Sequence, residues 1–138
     1  MPDEKPKSEI QWIHSATDLE TLTFVDDVAR IQVPISIVDE LPFKNEDRGD
    51  SARLREVTRS IRRNGYNNFD PIIVRIGRRG RWVIVDGGHR LTAARIVARE
   101  FWTNLFRKKV DTIYFLLFRT PLSNTRIDDP PDDELKTG

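Results

Sequence analysis

The chain has no cysteine among its 138 residues. Disulfides, thiolate metal sites and thiol nucleophiles are therefore excluded, and the absence agrees with a reducing, cytoplasmic setting. Long apolar runs are also missing. The longest, IYFLLF at 113–118, has the length of a strand and falls far short of the ~18 residues of a membrane-spanning helix. The opening MPDEKPKSEI lacks the apolar stretch of a secretory signal. No internal repeat is present. Net charge is nearly absent too, at +1.

What is present is unevenly spread. Hydrophobic residues make up 38% and charged residues 33% of the chain, enough for one modest core. Residues 48–109 carry 16 Lys/Arg against five acids, a net of +11, while the remainder nets −10. Such a basic block favours an anionic partner, either a nucleotide or a nucleic acid. It also suits a solvated arginine-rich face balanced by acidic ends. Residues 1–9 are polar and proline-bearing, and 128–138 hold five acids beside two adjacent prolines. Both segments are expected to be disordered, leaving one domain over 10–127.

Local signals give an order of strand, helix, hairpin, helix and strand. Alternation of Ile31, Val33, Ile35 and Ile37 predicts a strand over 31–38, with Pro34 favouring an edge or a strand start. Residues 19–28 fit either a strand or a short helix. A polar loop over 41–50 follows. Asp50 or Ser51 can cap a helix reaching Asn64, with Leu54, Val57 and Ile61 on one face and Gly65 beyond its end. Strands at 71–76 and 81–85 flank a Gly77–Gly80 connection. A short helix follows with Leu91, Ala94, Ile96 and Val97, then a helical segment near 101–106 and a strand over 111–118 buried on both faces. This is a mixed α/β domain, too irregular for a doubly wound sheet.

The junction VIVDGGHRLTAAR, residues 83–95, carries the chemistry. Glycines at 87 and 88 allow a sharp turn and close approach of a ligand to the backbone. Amides opening the next helix have no helical partners and lie at the positive end of its dipole, where phosphates bind. Arg90 adds a fork of donors, and His89 can donate to a phosphate or move a proton. Asp86 can hold Mg²⁺ or act as a base. Taken singly, each has an ordinary reading: a plain turn, a helix-capping acid, a hydrogen-bonded histidine.

Residues 54–94 resemble the ParB/sulfiredoxin superfamily. The likeness rests on Ser60-Ile61 with Gly65, then Pro71-Ile72-Ile73-Val74-Arg75, Gly80-x-Trp82-x-Ile84 and the glycine-basic turn. IQVPISIVDELPF resembles the family's opening strand, and the likeness runs over 31–118. It implies a compact ParB/sulfiredoxin-like domain, a small mixed sheet with flanking helices. In ParB the turn is Gly-Glu-Arg-Arg and binds the triphosphate of CTP with Mg²⁺. Here the glutamate position is Gly88, the first arginine is His89, and Arg90 is kept. ParB continues into helix-turn-helix and dimerisation domains, and neither is expected within these 138 residues. The essential cysteine of sulfiredoxin also aligns with Gly88, so sulfinic-acid reduction by that route is excluded. Free serine kinases of this fold carry Asp-Gly-His-His-Arg, from which this chain differs only at Gly88. That likeness implies phosphoryl transfer by Asp86 and an upstream glutamate, with Glu40 the candidate.

The resulting expectation is a nucleotide (ATP or CTP)-binding domain with a DNA-associated role. Gly87, Gly88, His89, Arg90 and Thr92 are expected on a nucleoside tri- or diphosphate, with Mg²⁺ at Asp86. Arg59, Arg62, Arg63, Arg78 and Arg79 are the expected nucleic-acid contacts. Two alternatives stand beside it. One is a Mg²⁺-dependent phosphotransferase, NTPase or nuclease with Asp86, His89 and Glu40 catalytic. The other is a non-catalytic module for a protein partner or a second copy.

Overall fold

The computed structural model describes residues 9–44, 51–100 and 110–119. Residues 1–8 of the expected disordered start at 1–9, the expected disordered end at 128–138, part of the 41–50 loop and the helical segment near 101–106 lie outside the described residues. Five strands form one mixed sheet: β1 (Ile10–Trp12), β2 (Val28–Pro34), β3 (Ile72–Ile76), β4 (Trp82–Asp86) and β5 (Thr112–Arg119). Their spatial order is β1-β2-β5-β3-β4. β1 runs parallel to β2 and β3 parallel to β5, whereas β2–β5 and β3–β4 are antiparallel. Two α-helices, α1 (Ala52–Asn64) and α2 (Gly88–Arg99), accompany the sheet among the described residues.

One face of the sheet makes the core. Ala29, Ile31 and Val33 of β2 stand opposite Leu117, Phe115 and Ile113 of β5, beside Ile72 and Val74 of β3. Leu54 and Ile61 of α1 and Leu91, Ala94 and Val97 of α2 join the same buried cluster. Trp82 is buried edge-on to Phe43 and Phe115, with ring centroids 5.4 and 5.9 Å away. It is a core residue, as its alternation with Val83 and Val85 allows. Each such buried large side chain contributes about 1.5–3 kcal/mol.

α1 forms as its sequence suggests. Ser51 accepts a hydrogen bond from the Leu54 amide at 3.1 Å, closing one of the open donors of the first turn. Gly65, at φ 86°, ends the helix and donates its N–H to the Ile61 carbonyl at 2.7 Å. Arg62 and Arg63 occupy the last turn, where the helix dipole favours cations.

Three expectations need correction. β2 ends at Pro34, and Ile35–Glu40 is a 3-10 helix rather than more strand. Ile35 and Val38 then lie on one face at i, i+3, and Val38 is buried, so the apolar pattern is met another way. Pro34 lies in an interior strand. Gln32 turns its carbonyl toward β1 to accept from Ile13 at 3.0 Å. Two residues later, Pro34 points its missing N–H the same way, past the end of β1, which pairs only Arg30–Gln32. Finally, β5 is not buried on both faces. Ile113, Phe115 and Leu117 are fully buried while their neighbours are half-buried, because the helices cover a single face.

Residues 19–28 resolve into the end of a 3-10 helix, Ala16–Thr21, and a tight turn before β2. β1 had no distinct sequence signal, being three residues long. No helix among the described residues is long and apolar enough to cross a membrane.

Candidate functional site

The strand–turn–helix corner begins with a β-bulge. Ile73 pairs with Asp86 but Val74 pairs with Ile84, so Val85 is an extra residue. The bulge re-aims the strand end and leaves Asp86 exposed beside the start of α2. Gly87 is the N-cap in the left-handed region, at φ 100°, ψ 14°, and no side chain caps the helix. Asp86 therefore does not take the capping role. The first helical bond runs from the Leu91 amide to the Gly87 carbonyl at 2.9 Å. The amides of Gly88, His89 and Arg90 stand ahead of that ladder, at the positive helix end.

Gly87 is required twice over. Its φ is one that L side chains rarely adopt, and a Cβ there would lie 2.9 Å from Arg90 Nη2 and 3.1 Å from Ile72 Cγ1. Arg90 folds back against the turn for a reason. Its Nη1 donates to the Asp70 carbonyl at 2.9 Å and its Nη2 to the Pro71 carbonyl at 3.2 Å. No carboxylate neutralises it within salt-bridge distance among the described residues. Two of its five N–H groups are used, which fixes the guanidinium plane and leaves donors for a ligand.

Arg90 lines a cleft of about 410 Å³ together with Arg53, Glu56, Ser60, Gly65 and Tyr66. Gly87, Gly88, His89 and Thr92 do not line it. The structure thus brings Arg90 to α1 and the loop after it, a grouping the motif alone did not suggest. Arg53 and Ser60 lie at i, i+7, one face of α1, and that spacing was the available signal. Arg53 pairs loosely with Glu56, 3.8 Å away on the exposed surface. The Tyr66 hydroxyl is buried and makes no hydrogen bond among the described residues. Burial pushes its pKa up to about 12, against a lowering by the Arg90 charge and with a small rise from Asp70.

Glu40 does not join this corner. Its neighbour Asp39 pairs with Arg95 and lies 3.6 Å from Arg99, in the second half of α2. Those arginines stand seven and eleven residues from the helix start, about 10–16 Å along the axis. Asp86 stands at that start. Among the described residues, no group of three or more His, Asp or Glu side chains could hold a metal ion.

The arginines divide. Arg62 binds Glu100 through Nε, 2.9 Å from Oε1, and Nη2, 2.5 Å from Oε2. Its hydrogen bond to Glu100 raises the Arg62 pKa and holds that of Glu100 below the usual carboxylate range, the pair's mutual attraction acting the same way. Arg59 is exposed and shares a cleft of about 300 Å³ with Arg55, Thr58 and Arg62. Arg63 is exposed in the last turn of α1, and Arg79 is exposed on the β3–β4 connection at φ 65°. The Arg78 side chain lies outside the described residues.

A mixed five-stranded sheet backed by two helices, with a glycine turn opening the second helix, defines a small α/β domain of the ParB/sulfiredoxin type. The model of the ParB N-terminal domain matches residues 20–112, and the chain belongs to that family. Among solved structures, it is similar to the C-terminally truncated chromosome-partitioning protein ParB from Caulobacter crescentus complexed with CTP-gamma-S. The identity is 21% and the TM-score 0.38, over 69% of this chain and 47% of that one. This chain thus spans about half the length of that protein. No curated protein matches the chain.

Proposed function

We propose that this domain binds a nucleoside di- or triphosphate, with the phosphates against Arg90 and the first turn of α2. The observation that carries this reading is the Arg90 guanidinium. It is held flat by the Asp70 and Pro71 carbonyls, lines an open cleft, and folds back against Gly87, where a Cβ would lie 2.9 Å from its Nη2. A fixed fork of donors next to a helix N-terminus suits phosphate oxygens. His89 and Thr92, half-buried in the first turns, add further hydrogen-bond donors. A nucleotide-bound Mg²⁺ takes one or two carboxylates and completes its shell with phosphates and water. The exposed Asp86 carboxylate fits that need, and the ion would screen phosphate charge there. A thermal-shift panel of ATP, CTP, GTP and ADP with and without Mg²⁺ tests the reading. A ligand at about 100 times its Kd adds about 2.7 kcal/mol; no shift with any nucleotide rejects it.

A DNA-associated role is the second part of the proposal, supported by the exposed Arg59 and its cleft with Arg55 and Arg62. Anisotropy with duplex and single-stranded DNA tests it. Affinity should fall steeply between about 50 and 200 mM salt, and absence of binding at the lower salt rejects this part. Phosphoryl transfer by an Asp86–Glu40 pair finds less support, because Asp39 fixes that loop beside Arg95 rather than at the turn.

A further inference from the structure

α1 and α2 join the core on one face of the sheet. Strand register fixes what stands on the opposite face. One row runs Ile10, Arg30, Leu116, Ile73 and Asp86 across the five strands. The next row, toward the end of β5, holds Val28, Phe118, Arg75 and Val83. Two cations thus flank the end of β5, Arg30 on one neighbouring strand and Arg75 on the other. The one carboxylate in these rows is Asp86, three strands or about 14 Å from Arg30.

Arg30 has no counter-charge. Its Nε is buried and has no hydrogen-bond partner among the described residues, and none of their ion pairs includes it. Its register neighbours Ile10 and Leu116 are apolar. On β1 beside it, Ile10 and Trp12 are 44% and 59% exposed. A charge set against apolar surface attracts an anion more strongly than a fully hydrated one does.

The chain carries a matching anion. Residues 127–134, IDDPPDDE, hold five acids, no base and two adjacent prolines. Residues 1–8, which precede β1, balance two acids with two lysines. β5 ends at Arg119, so residues 120–126 connect it to the acidic run. Arg30 lies three residues back along β5 and one strand across, about 11 Å from that end. A flexible connector from 119 to 128 spans about 16 Å r.m.s.. Span and reach are therefore close, the condition under which tethering gives an effective concentration in the millimolar range. Adjacent prolines also favour the extended polyproline conformation that packs on exposed aromatic rings, and Trp12 offers such a ring.

We propose that residues 127–134 dock in cis onto this face of the sheet, with carboxylates at Arg30 and Arg75 and Pro130-Pro131 against Trp12. The contact depends on neither nucleotide nor DNA binding. A segment so poor in apolar residues builds no core of its own and gains order only by such docking.

The absence of native cysteine lets a nitroxide be attached at one introduced position. Full-length Leu135→Cys, spin-labelled and ¹⁵N-enriched, is read by paramagnetic broadening. At about 50 mM salt, the amides of Ile10 and Arg30 and the Trp12 indole lose most of their intensity, while the amides of Arg55 and Arg59 on α1 keep theirs. The loss disappears in about 1 M salt, where the Debye length is about 3 Å. It also disappears when Asp128→Asn, Asp129→Asn, Asp132→Asn, Asp133→Asn and Glu134→Gln are combined, and it weakens in Arg30→Met. The tail substitutions touch no described residue, so they decide the matter even where Arg30→Met does not fold. Equal loss in the charge-neutral tail reflects tethering alone and overturns the docking. Loss centred on α1 overturns it in favour of that helix's arginines. A mixture of spin-labelled ¹⁴N chain with unlabelled ¹⁵N chain should show no broadening; broadening there assigns the face to a second copy's segment and overturns the contact in cis.

Discussion

Arg62 and Glu100 lie 38 positions apart in the chain and meet through two nearly parallel hydrogen bonds, at 2.9 and 2.5 Å. The pair ties the last turn of α1 to the residue that ends α2. Both side chains are partly exposed, 45% and 30%, so solvent screens the attraction. Glu100→Gln should cost about 0.5–1 kcal/mol in urea unfolding at neutral pH. The folded-state pKa of Glu100 is depressed. Its contribution is therefore complete above the unfolded carboxylate pKa and is lost as pH falls through the folded value. The variant and the parent should converge in stability on the acid side; parallel curves down to pH 2 would remove the pair from the account.

Gly87 and Gly80 form a controlled comparison. Both have positive φ, 100° and 73°, yet a Cβ at Gly80 meets nothing within 4 Å while one at Gly87 meets Arg90 and Ile72. Gly80→Ala should cost about 1 kcal/mol from backbone strain alone. Gly87→Ala should cost more, about 2–3 kcal/mol, as clash adds to strain. Chemical denaturation of both variants measures the difference, and equal costs would mean that Arg90 moves aside freely.

Arg90→Lys keeps the charge and loses the fork. An ammonium cannot donate to both the Asp70 and Pro71 carbonyls in the same plane and also grip a phosphate. Nucleotide affinity should fall at least tenfold with little change in melting temperature. Retention of full affinity in Arg90→Lys would show that charge, and not geometry, is what the site needs.

Tyr66 should titrate well above the ordinary tyrosine range, with its pKa raised to about 12 by burial. Ultraviolet absorbance of the phenolate, read in a Tyr114→Phe background, follows it. Because the folded pKa is raised, the stability it contributes is present below about pH 10, the unfolded value. It is lost as pH rises toward 12. Tyr66→Phe removes that alkaline slope. It costs little at neutral pH, since the buried hydroxyl has no hydrogen bond to lose among the described residues.

Features carried by neighbours in sequence were legible before the structure. Ser51 and Gly65 bracket α1 because caps act within one turn. Gly77–Gly80 marks a hairpin because its turn closes locally, with the Gly77 amide on the Arg81 carbonyl at 2.7 Å. Asp86-Gly87-Gly88 announces the corner. Features assembled from distant residues were not legible. Gln32 meets Asn68 and Thr112 across 36 and 80 positions, and nothing local to any of the three foretells it. The direction of Arg90 was hidden for the same reason, since the Asp70 and Pro71 carbonyls that hold it become neighbours only when β3 and β4 pair. The strand expected over 31–38 failed at Ile35 because apolar spacing of two and of three overlap in ISIV.

The bulge at Val85 also has a bearing on how the molecule keeps to itself. β4 is the outermost strand on its side. At its start, the Trp82 amide and carbonyl are already taken by Pro42 and Lys44, at 2.9 and 2.8 Å. At its other end, the extra residue breaks the repeat. A foreign strand approaching this margin would find little more than the backbone of Ile84 to zip onto, so the flank that a sheet protein most needs to guard against clumping is clasped at one end and crimped at the other.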